Sequence, residues 1–372
     1  MKSILLTTTA IVAFAGAAAA DGHAGVSFGG DASLGYNDDS TFGEDGFFWG
    51  ADLDVTMSAT LDNGLTATAS FEFDIVDDTN GQATVSDSYV LSLESENAGL
   101  FFGDTGFAAE TRWSGAGDME ADGFSEADGE NVLRGDVTVG SVDASVSYAI
   151  SDAAGVLVSD TAGADGETDQ LSIGASSDLG QFSVTAAYQE EADAVFGAAA
   201  NAANGDYNVS EVFGIAVGAS FGGADITVAY ASNETADTSS TGIQVAYPFG
   251  PVTATVYYVS EDDATDEDNY GLNVAYSDGP IAVTADYDYD QGTDKWNLDG
   301  SYDVGNGLTL LAGMQNENEG DDADYYVAGT YDLGGGAELL VSYGEDDDGD
   351  QTDEIGGGDY LPGTTVELSF AF

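Results

Sequence analysis

Cysteine is absent from this 372-residue chain, histidine occurs once (His23), and only Lys2, Arg112, Arg134 and Lys295 are basic. Without cysteine there is no disulfide, no thiolate metal site and no thiol nucleophile. A single histidine near the N-terminus leaves nothing from which to build a Ser-His-Asp or Asp-His site. A carboxylate pair could still run glycoside hydrolysis, but among 69 acidic residues a pair carries no information. The chain is therefore expected not to be an enzyme. A net charge of −65 also excludes nucleic acid as a partner, because binding it needs a basic footprint. No stretch approaches the ~20 apolar residues of a spanning helix. Nor does any helical pattern longer than two turns appear after Asp21.

What is present begins with an export signal. Lys2 gives a positive start, Ile4 to Ala19 a short apolar core, and Ala18-Ala19-Ala20 a small-residue cleavage site. Residues 1–20 are expected to be removed, leaving Asp21 first. A short membrane helix is the competing reading, but the run lacks a stop-transfer flank. The remaining chain shows no linker. So many carboxylates suggest disorder, yet 43% hydrophobic residues with regularly spaced aromatics argue against it. The acidity also suits a surface adapted to high salt, where self-repulsion is screened.

Period-two alternation dominates. Val366, Leu368, Phe370 and Phe372 share one face of the C-terminal stretch, and Thr365, Glu367, Ser369 and Ala371 the other. Ala51 to Leu61 alternates in the same way, and Leu65 to Ile75 repeats the pattern after an Asn63-Gly64 hairpin signal. A soluble β-sandwich would alternate too. Three features favour a closed transmembrane barrel. Tight turns at Tyr247–Pro251, Ser277–Pro280 and Asp332–Gly336 alternate with longer acidic loops at Glu261–Asp268, Glu317–Asp322 and Glu345–Asp359. Tyr247, Tyr276, Tyr302 and Tyr331 each precede a tight turn, at spacings of 29, 26 and 29 residues, as an aromatic girdle would. Finally, an exported chain that spans lipid without helices must do so as a closed barrel. The fold class is therefore all-β, an antiparallel transmembrane barrel over residues 21–372, and candidate strands number about twenty.

Gly99-Leu100-Phe101-Phe102-Gly103-Asp104 leads into the longest early connection, and Tyr331-Asp332-Leu333-Gly334-Gly335-Gly336-Ala337 forms a distinctive turn near the C-terminus. In these motifs, in its signal peptide and in its terminal Phe372, the chain resembles the general diffusion porins of Gram-negative bacteria, nearest the purple non-sulfur type. The resemblance implies sixteen strands, a homotrimer in the outer membrane against lipid and lipopolysaccharide, and no required cofactor. It also implies that residues 105–131 fold inward to narrow the pore for small hydrophilic solutes and ions. The constriction would then comprise Asp104, Glu110, Arg112, Asp118, Glu120, Asp122, Glu126, Asp128, Glu130 and Arg134. The chain departs from the family in lacking a basic cluster opposite the acidic loop.

Parity places Asp31, Asp52, Asp54, Glu72, Asp74, Glu94, Asp136, Asp143, Asp286, Asp288, Asp299, Glu338 and Glu367 on inner faces, with Arg134 and Lys295 as rare basic neighbours. Rings of carboxylates concentrate cations and repel anions, so a cation-preferring channel is expected. The acidic loops are expected to hold Ca2+ weakly, bridging to lipopolysaccharide phosphates. Asp346-Asp347-Asp348-Gly349-Asp350 is no EF-hand, since the ligand spacing would place Gly344 first and Ile355 twelfth. The alternatives are a secreted acidic cation-binding sandwich or adhesin, and a sugar-selective barrel. The second would stack aromatics in the lumen, where Tyr257 is one of few on an inner parity.

Overall fold

The computed structural model of the chain describes residues 24–39, 46–77, 89–126, 130–152, 166–192, 207–262, 267–316, 323–345 and 360–372. The expected signal peptide, Asp21, His23, Asp128 and the run 346–350 lie outside the described residues, as do loop residues 317–322 and 351–359. Two short strands, β1 (Ala24–Gly29) and β2 (Asp31–Asn37), lie end to end along β3 (Gly46–Thr60). Both keep one register, with Gly29 opposite Asp54 and Ala32 opposite Ala51, so they form one strand broken at Gly30. Gly30 has φ 141°, and a side chain there would overlap the Asp52 carbonyl.

The first half continues with β4 (Thr66–Asp77), β5 (Tyr89–Glu94), β6 (Ala98–Asp104), β7 (Asn131–Val139), β8 (Val142–Asp152), β9 (Gly166–Asp178), β10 (Phe182–Gln189), β11 (Val212–Phe221) and β12 (Ala224–Asn233). The second half runs β13 (Thr238–Phe249), β14 (Val252–Glu261), β15 (Asn269–Asp278), β16 (Ile281–Asp290), β17 (Thr293–Gly305), β18 (Leu308–Asn316), β19 (Asp324–Gly334), β20 (Ala337–Glu345) and β21 (Gly363–Ala371). From β3 onward each strand pairs antiparallel with the next. β21 then returns to β2, with Leu368 opposite Leu34, and closes the sheet. With β1 and β2 counted as one, the barrel has twenty strands among the described residues. The count read along the sequence holds, and the sixteen implied by the resemblance does not. From β2 onward every alternating run pairs on both edges, and β1 pairs along β3 alone, so each run belongs to the sheet. One closed sheet also leaves no second sheet for a sandwich.

The two faces of the wall are inverted relative to a soluble domain. Leu34, Trp49, Val146, Ile215, Val228, Tyr258, Leu298 and Val327 are large, apolar and exposed on one parity. Ser147, Ser172, Gln189, Ser240, Asn269, Gln315 and Thr365 are buried on the other. An apolar exterior around a polar interior suits hydrocarbon surroundings. Tyr247, Tyr302 and Tyr331 are exposed on the outer parity beside the tight turns. Tyr276, opposite Val252 and Val283, shares that height. At the other rim Tyr287 donates to Asp294 at 2.5 Å and Tyr289 to Glu267 at 2.6 Å, and Tyr258 and Tyr325 donate to Asp268 and Glu345. Both rims therefore carry aromatics, and at the second their polar tips are hydrogen-bonded.

The expected alternation of short and long connections breaks at this second rim. β16 and β17 are joined only by Gln291 and Gly292, whose φ values of 45° and 87° suit a two-residue hairpin turn.

Candidate pore constriction

After Asp104 the chain does not fold back as a hairpin; residues 105–126 enter the barrel. They form one turn of helix, α1 (Ala108–Arg112), and a 3-10 turn at Glu120–Asp122. Such a short helix cannot hold itself together, so its order comes from the wall behind it. Phe107, Ala109, Ala116, Met119, Ala121 and Phe124 are buried against Val132, Ala149, Ala187, Val212, Ala216, Ala229, Ala231 and Val259 of the strands. Most of the dry interior of the molecule lies in this seam.

Polar pins fix the loop along the seam. The Ala108 N–H donates to Ser147 Oγ at 2.9 Å and the Ala109 N–H to Ser172 Oγ at 2.8 Å. Further along, the Ala121 N–H donates to Ser240 Oγ at 2.9 Å and the Ser125 N–H to Gln189 Oε1 at 2.7 Å. Room for the close approach comes from Gly174 and Gly242, where a side chain would overlap the carbonyls of Ala108 and Ala116. The contacts run from β7 to β16, so the loop covers one side of the lumen and leaves the β17–β21 and β2–β6 walls free of it.

Among the described residues the three basic side chains are all engaged. Arg112 Nε donates to Ser145 Oγ at 2.8 Å. Arg134 Nη1 donates to the Gly106 carbonyl at 2.7 Å and to Thr111 Oγ1 at 3.2 Å, while its Nε lies 3.2 Å from Asp136 Oδ1. Its guanidinium also sits 4.9 Å over the Phe101 ring. Lys295 Nζ is 2.9 Å from Asp290 Oδ2.

Two loop carboxyls are perturbed. Asp118 is exposed on the loop, yet partial desolvation by the wall around it pushes its carboxyl up to about 6, helped by the charges of Asp290, Glu120 and Asp288. Burial pushes Asp122 to about 6 as well, although Trp113 Nε1 donates to it at 2.8 Å and opposes the rise. Carboxylate oxygens of Asp118, Glu120 and Asp290 lie within 4.8 Å of one another. Asn269 Nδ2 donates to the Asp118 carbonyl at 3.1 Å and to Glu120 Oε1 at 3.0 Å.

The other expected constriction residues scatter. Asp104 ends β6 opposite Asn131, Glu110 lies on α1, and Glu126 is the last described residue before the gap at 127–129. Glu130 departs from expectation: at 1% exposure it is sealed off from water and lines no open passage. On the open wall Asp52 stands opposite Asp74 and Asp54 opposite Glu72. Like charges directly opposite each other destabilise a sheet, so this wall keeps its acids at a cost in stability. Register also puts Asp136, Asp286 and Asp288 on the inner face, together with Asp31, Glu94, Asp143, Asp299, Glu338 and Glu367.

Sequence reasoning missed the serine pins and the covered stretch of wall. A signal was present: Val212-Phe213-Gly214-Ile215-Ala216-Val217 is apolar on both parities. A strand between water and lipid has no reason for that, whereas a strand covered on its inner face does.

A profile of the Gram-negative porin family matches residues 7–351. The chain belongs to that family. Among solved structures, an engineered mutant of the Rhodopseudomonas blastica porin matches with a TM-score of 0.50 and 15% identity. The match covers 74% of this chain and 98% of that one. A second mutant of the same porin matches with a TM-score of 0.51 at the same identity and coverage. At such identity the likeness concerns the fold alone. No curated protein matches the sequence. Family and fold make this porin an outer-membrane diffusion channel.

Proposed function

We propose that this porin passes small hydrophilic solutes and ions with a preference for cations, and that residues 105–126 form its constriction. The supporting observation is the fate of the positive charges. Arg134 and Lys295, the basic residues on inner faces of the wall, are matched by Asp136 and Asp290. The remaining inner carboxylates then set the sign of the potential in a confined, water-filled space.

The zero-current potential across a salt gradient in a planar bilayer tests this. Asp118→Asn with Asp122→Asn should move that potential towards zero. In the unaltered porin, acidification through about pH 6 should do the same, because protonation removes negative charge from both groups. The sign follows from their raised values: their negative charge is complete well above pH 6 and about half lost near it, so cation preference weakens as the pH falls through 6. Conductance with a potential indifferent to both changes would mean that the loop acids do not select ions.

A further inference from the structure

Two tyrosines on the inner wall each reach over a neighbouring strand to a carboxylate on the strand beyond. Tyr257 of β14 lies over Gly271 of β15 and donates to Asp288 Oδ1 of β16 at 2.9 Å. A side chain at Gly271 would overlap both the ring and the carboxylate. In mirror arrangement, Tyr326 of β19 lies over Gly313 of β18 and donates to Asp299 Oδ1 of β17. Between these struts, Asn273 Nδ2 donates to Asp286 Oδ1. Three carboxylates on one face of β16–β17 are thus each held through one oxygen by a neutral donor. Lys295, opposite Asp288 in register, makes its ion pair with Asp290 instead.

Asn297 lies in the middle of this face, opposite Asp286 on one side and Gln315 on the other, and is only 2% exposed. Its Nδ2 is directed at Gln315 Oε1, 3.4 Å away. Its Oδ1 is buried without a hydrogen-bond partner. On the β16 side the register neighbour of Asn297 is Asp286. A carboxylate can only accept hydrogen bonds and offers that oxygen nothing. Acceptors gathered around a desolvated acceptor are what a hard cation satisfies.

We infer that this face binds a divalent cation of the Ca2+ type through Asn297 Oδ1 with carboxylate oxygens of Asp286 and Asp299, water completing the shell. Tyr326 holds Asp299 and Asn273 holds Asp286 in place for it. The inference rests on the reading of the lumen as a cation path, since an ion reaches this wall only through the channel. A resident divalent ion here would offset negative charge beside the constriction and so moderate the cation preference.

The test is calorimetric titration of Ca2+ alone into the full-length barrel folded in detergent, with conductance measured separately. One saturable event per chain that depends on Asn297 is expected above the weak binding of the acidic loops. Asn297→Leu, which removes a ligand oxygen, and Asp299→Asn, which removes a ligand charge, should each weaken it about tenfold or more. Asn297→Asp should tighten it by adding charge. Asp278→Asn, at an exposed turn, should leave it unchanged. The inference is overturned if Asn297→Leu binds as the unaltered chain does and melts at a higher temperature, since Oδ1 is then only a buried orphan. Should Asn297→Leu fail to fold, Asp299→Asn decides alone, and unchanged binding overturns the site. A flat isotherm beside cation-selective conductance discards the site and keeps the channel reading. A folded sample without conductance discards the channel reading, whatever the isotherm shows.

Discussion

Ending the chain at Pro362, so that β21 is lost, is expected to abolish the folded barrel. β21 is paired with β2 from Asp31 to Asn37 and with β20 from Ala337 to Tyr343. Its removal strips both neighbours of hydrogen-bond partners along nearly their whole length. In hydrocarbon each unsatisfied backbone group costs several kcal/mol, and the sum exceeds the ~5–15 kcal/mol of net stability typical of a folded protein. The gap cannot be closed by bringing β20 against β2. Both run in the same direction, so they would have to pair in parallel, with a different bonding pattern. Deleting Phe372 alone is a far smaller change. It removes the N–H donated to the Gly30 carbonyl at 2.8 Å and a ring stacked 6.4 Å from Phe370, about 1–2 kcal/mol together. Heat-modifiable migration in SDS and protease resistance of the membrane fraction measure the outcome. A pore-active, heat-modifiable product from the chain ending at Pro362 would show that β21 does not close the barrel.

The closing role of β21 was legible because alternation is a local property. Val366, Leu368, Phe370 and Phe372 declare their face without reference to any other strand, and the same logic assigned the inner acids and the girdle tyrosines. Strand number was legible for the same reason, by following each run to its turn. What could not be read depends on which residues become neighbours across strands. Tyr257 and Asp288 are 31 residues apart, and nothing in either run announces that Gly271 between them will let one ring cross. The loop posed a different problem. Its acidic residues drew attention, yet its position is set by Phe107, Met119 and Phe124 and by serines far away in sequence. Glu130 shows the consequence. It looks like one more pore carboxylate, but the backbone delivers it to the enclosed foot of β7.

Replacing Ser147 and Ser172 together by alanine is expected to free the first limb of the 105–126 loop, the proposed constriction, while leaving the barrel intact. The two hydroxyls receive the N–H groups of Ala108 and Ala109, which open α1 and have no intrahelical acceptors. Both residues are fully buried, so water cannot replace the lost partners. Each orphaned N–H costs about 1–3 kcal/mol, and a single helical turn has little stability of its own to set against that. The strands keep their register, because neither substitution touches a backbone pairing. Single-channel recordings should therefore change from one sharp open level to fluctuating, higher levels, while heat-modifiable migration stays as before. Ser145→Ala, which removes only the bond from Arg112 Nε, should leave the open level in place. Excising residues 107–125 should give a steady conductance at the top of the range visited by the double variant. If the double variant and the excision both conduct at the original level, residues 105–126 do not form the narrowest part of the passage. The constriction would then lie on the open wall, where Asp52 and Asp54 face Asp74 and Glu72.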